Sequence, residues 1–211
     1  SRWHWAPVLA RAWRYSGNFE YLNLMNKLMK NWNMNNSYNL GLNWNCAQEV
    51  SIRLIHALQA WYIADSDDFI PSEILENRIL FVKDHLRRIC QTLIYSKAQK
   101  NNHYLSESAA LYIGSIWLRN TFYSDKERIK KWEFLGLKGL NFCVKKLIFT
   151  DGSFSQHSIN YHRYLLDVLT QVEFFRRLYK KQKFSVNFYR KCKLATIWLI
   201  TMVDEKSGDA S

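Results

Sequence analysis

The sequence predicts an all-α protein built of antiparallel helical hairpins, and three observations predict it. Apolar residues recur with the helical period along most of the chain, and no alternating strand pattern of convincing length interrupts them. The 211 residues include only 2 Pro and 7 Gly, too few breakers for a many-turned β fold. The breaks between periodic runs are short and carry turn residues, so successive helices fold back on one another. Hydrophobic residues make up 48% and charged residues 23%, enough to build a sizeable core and to exclude wholesale disorder.

Taken in order, the periodic runs predict helices over 5–15, 18–33, 46–64, 72–95, 104–123, 126–148, 159–180 and 187–203. Ser16, Gly17 and Asn18 separate the first two. Asp65 to Asp68 stop the third. Pro71 and Ser72 open the fourth, with proline near the first turn, where a missing N–H costs nothing. Thr150 to Ser153 read as a tight turn. Eight such helices suit either a helical solenoid or an α/α toroid. The absence of a repeat signature, such as the tetratricopeptide pattern, argues against a regular solenoid. The longest polar insertions, 35–45, 96–103 and 150–158, precede the third, fifth and seventh helices. Every second loop of a hairpin series lies at the same end, so these three should share one rim.

The net charge is +12 and the pI about 9.6. That field attracts polyanions, whether nucleic acid, anionic membrane or acidic polysaccharide, without choosing among them. The basic runs "KERIKKW", "RRLYKKQKF" and "YRKCK" are scattered and read as solvated helix faces. Aromatic residues reach 16%; most should fill gaps between helices, and a minority could line a groove and stack on sugar rings. Cys46, Cys90, Cys143 and Cys192 show no metal-like spacing. They read as buried free thiols, with two disulfides the alternative in an exported protein. "LATIWLITMV" is too short to span a membrane. The chain opens at Ser1 inside what reads as a folded helical region and closes on "DEKSGDAS", the start of a loop. Both ends are therefore expected to continue into a longer chain, which leaves a signal peptide out of view.

Three stretches carry chemistry. In "NLGLNWNCAQEVSIRLIH" (39–56), Asn43 and Trp44 precede a helix whose first turns hold Gln48, Glu49 and Arg53. Glu49 and Arg53 are four apart and are expected to pair along one face. Trp44 is either a stacking platform for a sugar or a lid on the core. In "NNHYLSE" (101–107), Asn102 and His103 stand at a helix mouth, where asparagine is usually a cap. In "DGSFSQHSINYHRYLLD" (151–167), Gln156, His157, Ser158, Asn160, Tyr161, His162 and Arg163 crowd a helix start after a Gly turn. Capping does not account for that density. His157, Tyr161 and Tyr164 share one face if the helix has begun by 157. Phosphate-cradling glycine motifs and HExxH are absent, the five-residue spacing of His157 and His162 is poor for one metal, and "GSF" is no nucleophile elbow. No cofactor or metal is expected.

Together, "GLNWNCAQEVSIR" (41–53), "NNHYLSESAALY" (101–112) and "DGSFSQHSINYHRYLLD" (151–167) resemble the heparinase II/III-type polysaccharide lyases, as does "HWAPVLARAWRYSGNFEY" (4–21). The resemblance implies an incomplete α/α toroid over 1–211, followed in full-length members by a β-sandwich that packs on it. It implies cleavage of a uronic-acid-containing polysaccharide by β-elimination: a glycosaminoglycan, an alginate or a bacterial polysaccharide. The family's Asn-His pair falls on Asn102 and His103, its catalytic Tyr on Tyr161 and the following Arg on Arg163. Gln156, His157, Asn43, Trp44 and Arg53 are the further expected substrate-binding residues. Asn102 and His103 would hold the uronate carboxylate while Tyr161 moves the proton. A free tyrosine has a pKa near 10, so Arg163 or a protonated His would have to favour the phenolate. A further His or Tyr of the family site lies outside this chain, so 1–211 alone is expected to be weakly active or inactive. A periplasmic or secreted location is expected, with the cytoplasm the alternative for a role in polysaccharide synthesis. Two other readings remain: a non-catalytic acidic-polysaccharide-binding or assembly protein on the same fold, and a nucleic-acid binder argued from charge alone.

Overall fold

The computed structural model describes residues 2–65 and 70–210. Among these residues nine helices follow in order: α1 (Trp5–Ser16), α2 (Phe19–Asn35), α3 (Leu42–Asn45), α4 (Ala47–Ala64), α5 (Ser72–Gln99), α6 (Asn102–Arg119), α7 (Lys126–Leu147), α8 (Ile159–Leu178) and α9 (Val186–Met202). The described residues form no strand. Two isolated antiparallel bridges, Ile148 with Phe154 and Val203 with Ala210, pin loops.

The ends are set as the turn chemistry demands. Gly17 closes α1 in the left-handed region (φ 68°), its N–H donating to the Trp13 carbonyl. Asn18, Asn101, Asp125 and Ser185 cap α2, α6, α7 and α9 with a side-chain oxygen. The predicted stop at Asp65–Asp68 begins at Asp65, the C-cap of α4; its remainder lies outside the described residues. Two details differ from expectation. α3 is a single turn, too short to leave a period in the sequence. α5 also runs on to Gln99, which shrinks the polar insertion 96–103 to the link Lys100–Asn101. Ser96 looked like a loop residue, but it is buried in the helix, bonded to the Leu93 carbonyl and to Glu107.

The helices form a two-layered arc of hairpins, part of an α/α toroid. α1, α4, α6 and α8 pack side by side in one layer, while α2, α5, α7 and α9 cover them in the other. α6 is the hub, in contact with α4, α5, α7 and α8. It is buried nearly all round, so its apolar residues show little one-sided periodicity. The hydroxyls of Ser106, Ser108 and Ser115 are satisfied by carbonyls one turn back. α7 approaches α6 closely at Gly136, where a Cβ would lie 2.5 Å from the Tyr112 backbone nitrogen. Because inner helices alternate with outer ones, α1, α4, α6 and α8 all begin at the same rim. The three polar loops therefore share that rim, as the sequence predicts.

Candidate active site

The second and third motifs are docked backbone to side chain. Asn101 accepts from the His103 N–H at 3.0 Å and caps α6. The next N–H, that of Asn102, donates to Gln156 Oε1 at 2.8 Å, and the Ser155 hydroxyl reaches the Lys100 carbonyl at 3.4 Å. The loop that carries Gln156 is held from behind by α9. Lys191 Nζ donates to the carbonyls of Ile148 and Phe149 at 2.6 and 3.0 Å. Gly152 fits because a Cβ there would come within 2.3 Å of the Leu194 carbonyl oxygen. In the first turn of α8, His162 Nε2 lies 2.8 Å from the Ala195 carbonyl, to which it donates, and its ring stacks on Trp198 at 4.5 Å.

This scaffold leaves a set of side chains uncommitted at the rim. The Asn102 amide, the His103 ring, the Tyr161 phenol and the Arg163 guanidinium make no hydrogen bond or ion pair with another described residue. Tyr161 sits on the first turn of α8 and is 44% exposed. His103 is half-buried, and burial lowers its pKa against partial opposition from Glu49. The ring is therefore neutral near neutral pH and can both donate and accept.

Behind them lies a second tier. The Tyr164 hydroxyl is buried and faces Ser106 and Gln48, yet completes no hydrogen bond of good geometry. Burial pushes this phenol up to about 12, against the pull of Ser106 and Arg2. Glu49 accepts from Arg2 at 2.6 Å, and that bond holds the carboxyl below its ordinary value. One turn into α6, Glu107 is buried and accepts from Ser96 Oγ at 2.6 Å. Burial raises its carboxyl to about 7, with Ser96 and Arg88 opposing. The described residues contain no cluster of three or more His, Cys, Asp or Glu able to hold a metal, and no helix long and apolar enough to cross a membrane.

The first motif departs from expectation. Trp44 is only 4% exposed; its Nε1 donates to the Asn36 carbonyl, and its ring packs on Tyr38 and His85. It is a lid on the core, with no face open to a sugar. Arg53 is fully buried, donates from Nε to His85 Nε2 at 2.9 Å and from Nη2 to the Asn43 carbonyl at 3.0 Å, and stacks over Trp32 at 4.3 Å. Burial lowers its pKa to about 9. It is a structural cation with no exposed surface, and Glu49 pairs with Arg2 instead. Asn43 is half-buried and donates to Asn36 Oδ1 at 2.6 Å, tying the loop rather than presenting its amide. His157 precedes α8, which begins at Ile159. It therefore does not share a helical face with Tyr161; it stands exposed, 6.4 Å from the Phe149 ring. Gln156 lies where expected, but its carbonyl serves the Asn102 backbone.

Of this tier, the sequence names Gln48 and Tyr164, Tyr164 by its three-residue step from Tyr161, and misses Arg2. Arg2 leaves no signal, since it meets Glu49 across 47 residues. All four cysteines are free thiols, with Cys143 buried and the others half-buried.

The chain matches the Heparinase II/III N-terminus family over residues 1–204. Among solved structures it is similar to heparinase III at 21% identity and a TM-score of 0.72, covering 96% of this chain and 30% of that one. It is also similar to heparan sulfate lyase HepC from Pedobacter heparinus at 18% identity and a TM-score of 0.66, covering 96% and 31%. A heparinase III with methylated lysines matches at 16% identity and a TM-score of 0.68, covering 96% and 33%. The chain thus spans about a third of the length of the structures it resembles. No curated protein sequence matches it.

Proposed function

The chain belongs to the heparinase II/III family, and from that premise we propose that the intact protein is a polysaccharide lyase acting on a uronic-acid-containing chain by β-elimination. The observation that carries the reading is the contrast in hydrogen-bond commitment at the rim. Asn102, His103, Tyr161 and Arg163 are the residues on which the family's motifs fall, and their polar ends have no partner among the described residues. Buried polar groups elsewhere in the molecule are mostly satisfied, as protein interiors require.

In the proposed reaction Asn102 and His103 hold the uronate carboxylate. When the C5 proton leaves, charge moves onto that carboxylate, and donors already aimed at it lower the barrier without reorganising. Tyr161, as the phenolate, takes the C5 proton. The electron pair of the C5–H bond forms the C4–C5 double bond as the C4–O bond breaks. The leaving glycosidic oxygen then receives a proton from the Tyr161 phenol, so one group serves as base and acid in turn. Arg163, two residues on, adds positive charge beside the anionic chain. The +12 charge gathers the anionic chain.

The assay is direct. Incubating the intact protein separately with heparan sulfate, hyaluronan and alginate should produce, with one of them, the ultraviolet absorbance of an unsaturated uronate at a new non-reducing end. Heparan sulfate comes first because similar structures carry that name. Saturable binding of an acidic polysaccharide with no absorbance from any polymer would favour the non-catalytic reading instead.

A further inference from the structure

A cleft of about 380 Å³ opens between α1, α4 and α8. Its lining begins at Arg2 and Tyr164, immediately behind the rim, and runs along α8 to Gln171. From Tyr161 to Gln171 the helix rises about 15 Å at its usual pitch, so the cleft reaches well past the atoms that would react. Its size is in the range of small-ligand sites, roughly 300–1,000 Å³.

The lining alternates in chemistry. The side chains of Arg11, Gln59, Asp167, Thr170 and Gln171 reach the cleft and make no hydrogen bond or ion pair with any described residue. His56 is oriented from behind: its Nδ1 lies 2.6 Å from the Arg2 carbonyl. A carbonyl only accepts, so Nδ1 carries the hydrogen, and Nε2 of the neutral ring is left as an acceptor. Burial, together with the neighbouring His4 and Arg2, lowers the His56 pKa and keeps that form. Ile52, Ile55 and Val168 supply apolar wall between these groups. Arg2 is already paired with Glu49, so Arg11 is the cation left to meet an incoming charge.

Donors and acceptors at several levels, set on an apolar wall, match a pyranose ring. Its hydroxyls both donate and accept, and its C–H face is apolar. Building on the lyase reading, we propose that this cleft is a secondary subsite that binds a sugar unit of the same acidic chain, a pyranose bearing a carboxylate or sulfate, away from the bond that breaks. Arg11 meets the anionic substituent, while Gln59, Gln171 and the His56 Nε2 meet the hydroxyls.

The test compares a heparan sulfate hexasaccharide with a disaccharide by calorimetric titration of the intact protein carrying Tyr161→Phe, which leaves the hexasaccharide uncleaved. Arg11→Glu, at an exposed position with no partner to lose, should weaken hexasaccharide binding about 10-fold, the effect of losing one hydrogen bond to a charged group. It should change disaccharide binding less than about 2-fold, the disaccharide being held at the rim. Gln171→Leu should show the same length dependence to a smaller degree. Lys138→Glu, on the outer helix α7, makes the same change in net charge and should alter neither ligand. Equal weakening of both ligands, or no weakening of the hexasaccharide by Arg11→Glu, overturns the subsite. The two readings separate cleanly. Turnover with Arg11-independent affinity removes the subsite and keeps the lyase; Arg11-dependent binding without turnover does the reverse.

Discussion

The mouths of α4 and α6 are made of similar residues and do different work. Each sets asparagines beside an aromatic ring and follows with a charged residue in the first two turns. At the mouth of α4, the polar ends of Arg53 and Trp44 are turned inward. Arg53 spans His85 and the Asn43 carbonyl, Trp44 donates to Asn36, and the aromatic rings of Trp32 and Trp44 cover the guanidinium. At the mouth of α6, only the backbone is tied down, through Asn101 and Gln156. The side chains of Asn102 and His103 are left without partners. Commitment of the polar ends, rather than residue type, separates the scaffold from the proposed site.

The largest effect should come from breaking the committed side. Arg53→Ala removes the bonds to His85 and to the Asn43 carbonyl, leaves both acceptors facing a void, and should cost about 3–5 kcal/mol of stability. Arg53→Met fills more of the space and should cost less. Chemical denaturation of both variants measures this, and activity per folded molecule should hold. If Arg53→Ala loses turnover without losing stability, the division between the two mouths is misplaced.

Next comes Asn102→Ala, on the uncommitted side. It removes a donor whose interaction strengthens as charge develops, so turnover should fall by about 10²–10³-fold. The melting temperature should stay nearly constant, because the bond to Gln156 uses the backbone. Steady-state kinetics beside a thermal melt decide it.

The smallest effect sharpens the boundary between the two tiers. Glu107 is buried with a carboxyl raised to about 7. Between the ordinary glutamate range and that value the unfolded chain gives up a proton that the folded chain keeps, so stability falls as pH rises through this window. Above the folded value the penalty is fully present. Glu107→Gln keeps an acceptor for Ser96 and should remove this slope, gaining on the order of 1 kcal/mol at neutral pH. Urea midpoints for both proteins from pH 4 to 8 report it; parallel curves would mean that Glu107 does not titrate in this window.

Much of this was legible in the sequence, for physical reasons. Long amphipathic helices announce themselves by period, and the polar crowd at 156–163 could not be explained as caps. What stayed hidden was set by tertiary contact. Glu49 and Arg53 have the spacing of a surface pair, yet Arg53 turns inward because His85, from α5, offers it a buried acceptor. Arg2 replaces it across 47 residues, a contact with no local trace. Trp44 reads equally as platform or lid until Tyr38 and His85 are seen packed on it. His157 shares a face with Tyr161 only if the helix has begun by 157, and α8 begins at Ile159, the start the period predicts; α3 is too short to show a period.

The most direct measurement sets Tyr161→Phe beside Arg53→Met in the intact protein, with the rate of unsaturated-uronate formation and the melting temperature read on both. The account predicts that Tyr161→Phe loses about 10²–10⁴-fold in turnover, as removal of a positioned proton-transfer group should, while melting like the parent. Arg53→Met should melt lower and keep its turnover. A Tyr161→Phe protein that forms product at the parental rate would contradict the account.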